Sequence, residues 1–250
     1  MDEQIAVIGA GVMGAGIAQV LAVVGHAVSC VDVEPVALDR AREEIERGRF
    51  GLGSAVSRGL LSEGQAEDAL ARITLTGDLG AVATADLVIE AVPERLDLKV
   101  RLFRDLDRRA PEGAILASNS SGFPVAALAA ATDRPGLVIG WHWASPAPVM
   151  KLAEIVRGPD TDDATVETVV RLAAAAGKHP VVVKDHPMAW GYVANRVYGA
   201  MIREANEVVR QGIATAEEID RLMIDCFRWP TGPFGMAAGA TGGWKSEGNG

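Results

Sequence analysis

From Ile5 to Val31 the chain runs for 27 residues without an Asp, Glu, Lys or Arg. A stretch of that length can cross a bilayer as a helix or serve as the apolar part of a secretory leader. Its glycines argue for something else. Gly9, Gly11, Gly14, Gly16 and Gly25 break it at short intervals, and Gln19 and His26 interrupt its second half. Asp2 and Glu3 stand where a leader would carry basic residues. The segment is therefore expected to hold a buried strand over residues 5–8, a tight turn, a buried helix over 12–24 and a second buried strand over 27–31.

Short apolar runs recur at residues 73–76, 87–90, 115–118, 137–143, 152–156 and 181–183. Charged amphipathic stretches at 35–47, 95–109 and 163–176 alternate with several of them, the pattern of βαβ units. Residues 47–72 depart from it, with two helices expected around 59–63, an excursion large enough to cover a ligand. After Asp185 the strand pattern stops. Residues 193–211 and 216–227 read as helices, with Gly212 as a C-terminal stop and Thr215 as an N-cap. The expected fold is α/β: a doubly wound, mostly parallel Rossmann-type sheet over residues 1–185, then a small all-α domain over 186–250. A helical domain that short leaves apolar surface bare, so a homo-oligomer is expected.

Composition narrows the partners. Twenty-four Lys and Arg against 33 Asp and Glu give a formal charge of −9. Such a surface repels phosphate backbones and anionic lipid, which sets aside nucleic acid and membrane partners. The two cysteines, Cys30 and Cys226, are far apart in sequence, which fits a reducing cytoplasm better than an oxidising exterior. His26, His142, His179 and His186 show no metal-ligand spacing, so no metal is expected.

Gly9-Ala10-Gly11-Val12-Met13-Gly14 is a G-x-G-x-x-G sequence placed directly after an expected strand and at the start of an expected helix. The first glycine permits a tight turn, the second lets backbone approach a pyrophosphate, and the third lets helix pack closely on strand. Gly9, Gly11, Val12, Met13 and Gly14 would then face the phosphates at a helix N-terminus. Asp32 follows Gly14 by 18 residues, at the end of the second strand, where a carboxylate can accept both hydroxyls of an adenosine ribose. Asp32 and Glu34 would repel a 2′-phosphate, which favours NAD over NADP. Ala91-Val92-Pro93-Glu94 follows the strand ending at Glu90, on the carboxyl edge where ligands of such sheets bind. On residues alone, Glu94 reads equally as a solvated carboxylate at a helix start.

His142 lies in the apolar run Ile139-Gly140-Trp141-His142-Trp143. If residues 145–149 reverse the chain as a hairpin centred on Pro148, His142 and Glu154 stand opposite each other, each six residues from the centre. Their Cβ atoms would then be about 4.5–5.5 Å apart. A carboxylate beside an imidazole fixes its tautomer and raises its basicity, as a general base requires. It also makes a structural ion pair, and the residues alone leave both readings open. Ser118-Asn119-Ser120-Ser121 ends another strand at the same edge, where hydroxyls can orient a substrate alcohol or form a polar turn. Asn195, early in the first helix of the second domain, reads as a substrate contact or a cap. Trp141, Trp143, Trp190 and Trp229 are expected to pack cores or the domain boundary, with a place in the substrate wall as the alternative.

In order along the chain, Ile8–Ala18, Asp86–Glu94, Ser118–Ser121, His142, Pro146, Pro148–Leu152, Glu154, Val181–Asp185, Asn195-Arg196 and Gly232-Pro233-Phe234 resemble the L-3-hydroxyacyl-CoA dehydrogenase family. The resemblance covers residues from about 5 to 238. It implies that His142 is the general base and Glu154 its orienting partner. By the same likeness Ser121 and Asn195 hydrogen-bond the reacting oxygen, Asp32 holds the adenosine ribose, and Glu94 and Lys99 lie near the nicotinamide ribose, with Asn119 beside them. It implies NAD as cofactor, an acyl thioester as substrate, a role in fatty acid metabolism and a homodimer formed through the helical domain. The helical excursion over 47–72 would help hold coenzyme A. Three features depart from the family pattern. Ser145 stands where the family has Asn, the stretch before Asn195 is three residues longer around Met188–Trp190, and the chain stops soon after Phe234. The same chemistry on a carrier-protein-bound acyl group or a small free hydroxy acid is the alternative. A non-catalytic NAD-binding protein is the third reading.

Overall fold

The computed structural model describes residues 3–186 and 190–242. The chain divides into two compact units, Met1–Tyr192 and Val193–Gly250. Eight strands of the first unit form one sheet: β1 (Gln4–Ile8), β2 (Ala27–Val31), β3 (Ile73–Thr76), β4 (Leu87–Glu90), β5 (Ile115–Ser118), β6 (Val138–Trp143), β7 (Leu152–Arg157) and β8 (His179–Lys184). Their order is β3-β2-β1-β4-β5-β6-β7-β8. Every neighbouring pair is parallel except β6 and β7, which are antiparallel. The order from β3 to β6 reverses direction at β1, the switch point at which doubly wound sheets bind ligands.

The sheet is covered on both faces, which is why its strands are nearly continuous apolar runs. Alternate residues sort to the two faces. Ile5, Val7, Leu87, Ile89, Ile139, Trp141 and Ile155 share one core with helix α1 (Val12–Val23), α2 (Pro35–Arg47), α4 (Glu63–Ala71) and α7 (Asp163–Ala175). Ala6, Ile8, Val88, Leu116, Val138 and Val156 share the other with α5 (Leu96–Arg109) and α6 (Val125–Ala129). The excursion after α2 holds α3 (Leu52–Ser57) and α4, the latter closed by a capping box between Ser62 and Gln65.

The second unit is helical: α8 (Val193–Arg210), α9 (Ala216–Phe227) and α10 (Pro233–Gly242). Gly212 ends α8 at φ +67°, a left-handed conformation suited to glycine. Thr215 caps α9, accepting from Glu218 N while Glu218 accepts from Thr215 N. α10 has no counterpart in the sequence expectation, since its Gly- and Ala-rich composition carries no apolar periodicity. Asp220 of α9 holds its start by accepting from Phe234 N and Gly235 N, both at 2.8 Å.

Candidate active site

The turn between β1 and α1 is built around glycine for reasons of space. Gly9 has φ +105°, and a Cβ there would lie 2.6 Å from Ala91 O. A Cβ on Gly14 would fall 1.7 Å from Gly9 O. Around Gly11 there is nothing within 4 Å of the same position, so bare backbone faces open space at the helix start. Gly11 is the N-cap and makes no side-chain cap bond. The first N–H groups of α1, on Val12, Met13 and Gly14, therefore have no intrahelical acceptor and suit an anion. Val12 is 76% exposed, whereas the Met13 side chain turns to the core. Ala10, Gly11, Val12, Ala15, Ala37 and Arg40 help line a cleft of about 270 Å³ at this turn.

Asp32 lies across the turn. Its Oδ2 accepts from Ala10 N at 2.8 Å and its Oδ1 from Glu34 N at 3.0 Å. Each carboxylate oxygen carries two lone-pair positions, so capacity for two hydroxyls remains. The set fits a dinucleotide: an open amide cradle for pyrophosphate and an acid for ribose. Cys30, just behind Asp32, is buried, and its thiol is pushed up to about 12 by burial and then by the Asp32 charge.

Between β4 and β5 the carboxyl edge is tied together by acids that sequence reasoning only half identified. Glu90, fully buried, accepts from Lys99 Nζ at 2.5 Å, Ser118 Oγ at 2.6 Å and Val92 N at 2.8 Å. Burial pushes its carboxyl up, while the Lys99 ammonium and the two hydrogen bonds oppose that rise. Lys99 is 1% exposed and also pairs with Glu94 Oε2 at 3.0 Å. Glu94, 34% exposed, accepts from Ser120 Oγ at 2.6 Å and from Ser121 N at 2.8 Å, so it fixes the backbone that carries Ser121. Asn119 Oδ1 accepts from Trp143 N at 3.0 Å and joins this loop to β6.

β6 and β7 form the expected hairpin in the expected register, with His142 opposite Glu154. His142 Nδ1 lies 2.8 Å from Glu154 Oε2, and the residues are 5% and 3% exposed. With Nδ1–H donated to the carboxylate, Nε2 keeps its lone pair and can take a proton. Tyr192 packs edge-on against the imidazole at a centroid distance of 5.7 Å and donates its hydroxyl to Phe123 O at 2.7 Å. Burial, then the nearby Asp185 charge, holds that phenol well above its usual range, so it stays a neutral donor. Lys178, buried below the turn, donates to Ala147 O and Met150 O and lies 5.1 Å from the Trp143 ring.

Two sequence expectations change here. Trp141 and Trp143 are core residues, but Trp190 is 60% exposed. The indole lies over Gly122 and meets the Phe123 ring edge-on. The strand expected over 137–143 starts one residue later, because residues 135–137 form a 3-10 turn. Met188 and Ala189 of the lengthened stretch lie outside the described residues. Asn195 is an exposed residue of α8, within the second unit. Ser145 is an exposed residue of the hairpin turn. Glu90, Tyr192 and Lys178 were not singled out from sequence, and Ser120 only as part of the serine run. A glutamate ending an otherwise apolar strand is the one signal that pointed to any of them.

The sheet order, the glycine turn with Asp32 and the buried imidazole–carboxylate pair define an NAD-dependent dehydrogenase of the two-domain type, acting on a CH–OH group. The comparisons place it more closely. Residues 4–186 match the NAD binding domain model of 3-hydroxyacyl-CoA dehydrogenase, and residues 191–246 match the C-terminal domain model. The chain belongs to the 3-hydroxyacyl-CoA dehydrogenase family. It is 41% identical over 235 residues to the probable 3-hydroxybutyryl-CoA dehydrogenase of Bacillus subtilis, covering 94% of this chain and 80% of that protein. The solved (S)-3-hydroxybutyryl-CoA dehydrogenase of Ralstonia eutropha aligns at a TM-score of 0.89 and 38% identity, covering 95% of this chain and 82% of that one. For the 3-hydroxybutyryl-CoA dehydrogenase of Escherichia coli K12 the TM-score is 0.88 and the identity 39%. There the match covers 94% of this chain and spans 49% of the other. Among the described residues no helix is long and apolar enough to cross a membrane, and no cluster of His, Cys, Asp or Glu could hold a metal.

Proposed function

We propose that this chain oxidises a 3-hydroxyacyl-CoA to the 3-ketoacyl-CoA, or runs the reverse reduction, with His142 as the general base. The observation that carries this reading is the buried 2.8 Å contact between His142 Nδ1 and Glu154 Oε2 at the carboxyl edge of the sheet. A bound NAD⁺ supplies the acceptor for the hydride leaving the alcohol carbon. His142 Nε2 takes the hydroxyl proton as that hydride leaves, and Glu154 stabilises the imidazolium that results. Ser121 and Asn195 hold the oxygen. Gly9, Gly11, Val12, Met13 and Gly14 receive the pyrophosphate and Asp32 the adenosine ribose. Ala91, Val92, Glu94 and Asn119 border the nicotinamide end, and Lys99 acts there through Glu94. Positioning and fixed charge supply most of the acceleration.

In this reading residues 1–185 bind NAD, and residues 186–250 contact substrate and join subunits into a homo-oligomer. Exposed Val197, Ile213, Leu222 and Phe227 on and between the helices of the second unit support self-association. The net charge of −9 favours neither nucleic acid nor membrane as partner, and two unpaired thiols suit the cytoplasm. Fatty acid metabolism is the setting the substrate implies. Ser145 in place of the family's Asn supports a second reading, in which the acyl group is carrier-bound or the hydroxy acid is free.

His142→Ala tests the assignment. Turnover of 3-hydroxybutyryl-CoA, followed by NADH absorbance, should fall by about 10³-fold or more, while NAD affinity stays within about twofold. Wild-type turnover in the variant would remove His142 from the chemistry. Assays on acyl-carrier and free-acid alcohols separate the two substrate readings.

A further inference from the structure

Trp190 is the one strongly exposed tryptophan among the described residues, and it stands next to a residue assigned to the substrate oxygen. Tyr192 N donates to Ser121 O at 3.1 Å, and Gly191 N to Gly122 O at 3.4 Å, so residues 190–192 are stitched along residues 121–123. The indole lies over Gly122: a Cβ there would meet Trp190 Cδ2 at 3.1 Å and Gly191 Cα at 2.6 Å. Its other contact is an edge-on one with Phe123, with ring centroids 4.8 Å apart at 73°. Two residues further on, Tyr192 touches the His142 ring. Residues 190–192 thus meet both the Ser121 backbone and the His142 ring within the first unit.

A tryptophan needed only for packing is covered, as Trp141 and Trp143 are at 0% and 2% exposure. Trp190 is 60% exposed, and its ring faces outward from an otherwise polar loop of serines. Apolar surface held this way beside a reacting centre gains by being covered by an apolar ligand group.

We infer that Trp190 is a specificity-determining residue: its indole is the contact for the acyl tail of the substrate beyond the reacting carbon, and it favours tails longer than that of a four-carbon substrate. The inference rests on the acyl-thioester reading above. A four-carbon acyl group ends one methyl past the reacting carbon and offers the ring the least apolar surface. Each further methylene laid on the indole adds buried apolar area, and four of them can cover most of one ring face.

The test compares wild type, Trp190→Ala and Trp190→Phe with 3-hydroxybutyryl-CoA and 3-hydroxyoctanoyl-CoA. Trp190→Ala should lower kcat/KM for the eight-carbon substrate about tenfold, equivalent to about 1.4 kcal/mol, and leave the four-carbon value within about twofold. The loss should lie in KM, with kcat and NAD affinity unchanged, and Trp190→Phe should recover part of it. Equal losses on both substrates, or a gain on the longer one, would overturn the inference, the first marking a structural role and the second a steric gate. Calorimetric binding of butyryl-CoA and octanoyl-CoA, which lack the hydroxyl, reads the same contact without turnover. If wild type turns over neither alcohol but binds octanoyl-CoA more tightly than Trp190→Ala does, the function fails and the acyl contact stands. Equal binding of octanoyl-CoA by both proteins refutes the contact.

Discussion

Glu154→Gln probes the site most directly, because it removes charge while keeping shape. In the proposed mechanism His142 faces buried Glu154 across 2.8 Å before it takes the proton. After proton transfer the imidazolium and carboxylate charges are centred about 4 Å apart, an attraction of about 4 kcal/mol at an effective dielectric near 20. The amide recovers about 1 kcal/mol of this as a neutral hydrogen bond. The remaining deficit of about 3 kcal/mol falls on the transition state, so kcat should drop by roughly 10²-fold. The amide can also present its NH₂ to Nδ1, which favours the wrong tautomer and deepens the loss. Folding should change little, since Gln removes an anion that is costly to bury as well as its hydrogen bond. The assay is steady-state NADH production at saturating substrate, with thermal melting and NAD titration as controls. A kcat within threefold of wild type would refute the argument. So would a parallel loss of NAD affinity, which would assign Glu154 to the cofactor site.

Asp32→Ala should weaken NAD binding by about 10- to 100-fold, since a charged acceptor is worth about 1.5–3 kcal/mol per pair, and should narrow the preference for NAD over NADP. Fluorescence titration with both cofactors reads the two effects, and an unchanged preference would remove Asp32 from the ribose site. Lys178 carries a signed pH effect. Burial, reinforced by Lys151, lowers its pKa from 10.5 to about 8, so between those values the unfolded chain binds more protons than the folded one. The contribution of Lys178 to stability should therefore be constant below about pH 8 and rise from there towards 10.5. Urea unfolding at pH 7 and 9.5 should show wild type gaining on Lys178→Met as pH rises, whereas a shrinking gap would mean the ammonium is not depressed in the fold.

Much of the fold was legible because local and global signals agree. Strands β2 to β5 end where apolar runs meet Asp32, Thr76, Glu90 and Ser118, and α2 starts at a proline suited to a first helical turn. The His142–Glu154 pair was also readable, because a hairpin converts sequence distance into register and β6–β7 has few other ways to pair. Glu94 bonding to Ser120 was not, since the two are 26 residues apart and meet only when β4 and β5 align. The same holds for Lys99 beneath Glu90, where a lysine on an amphipathic helix reads as solvated until the helix docks. Trp190 misled for the opposite reason: aromatic residues are buried more often than not, whereas this ring lies over Gly122 and stays 60% exposed.

The imidazole and its carboxylate come from adjacent strands only 12 residues apart, while the helices of the second unit are a separate body of chain. In the proposed mechanism proton handling is thus assembled locally, within one hairpin. Whatever varies in the helical unit, by exchange or lengthening of helices, leaves that pair in place and bears only on the contact assigned to Asn195. The architecture lets a lineage remodel one half of the molecule while the imidazole and its acid stay encoded in the other.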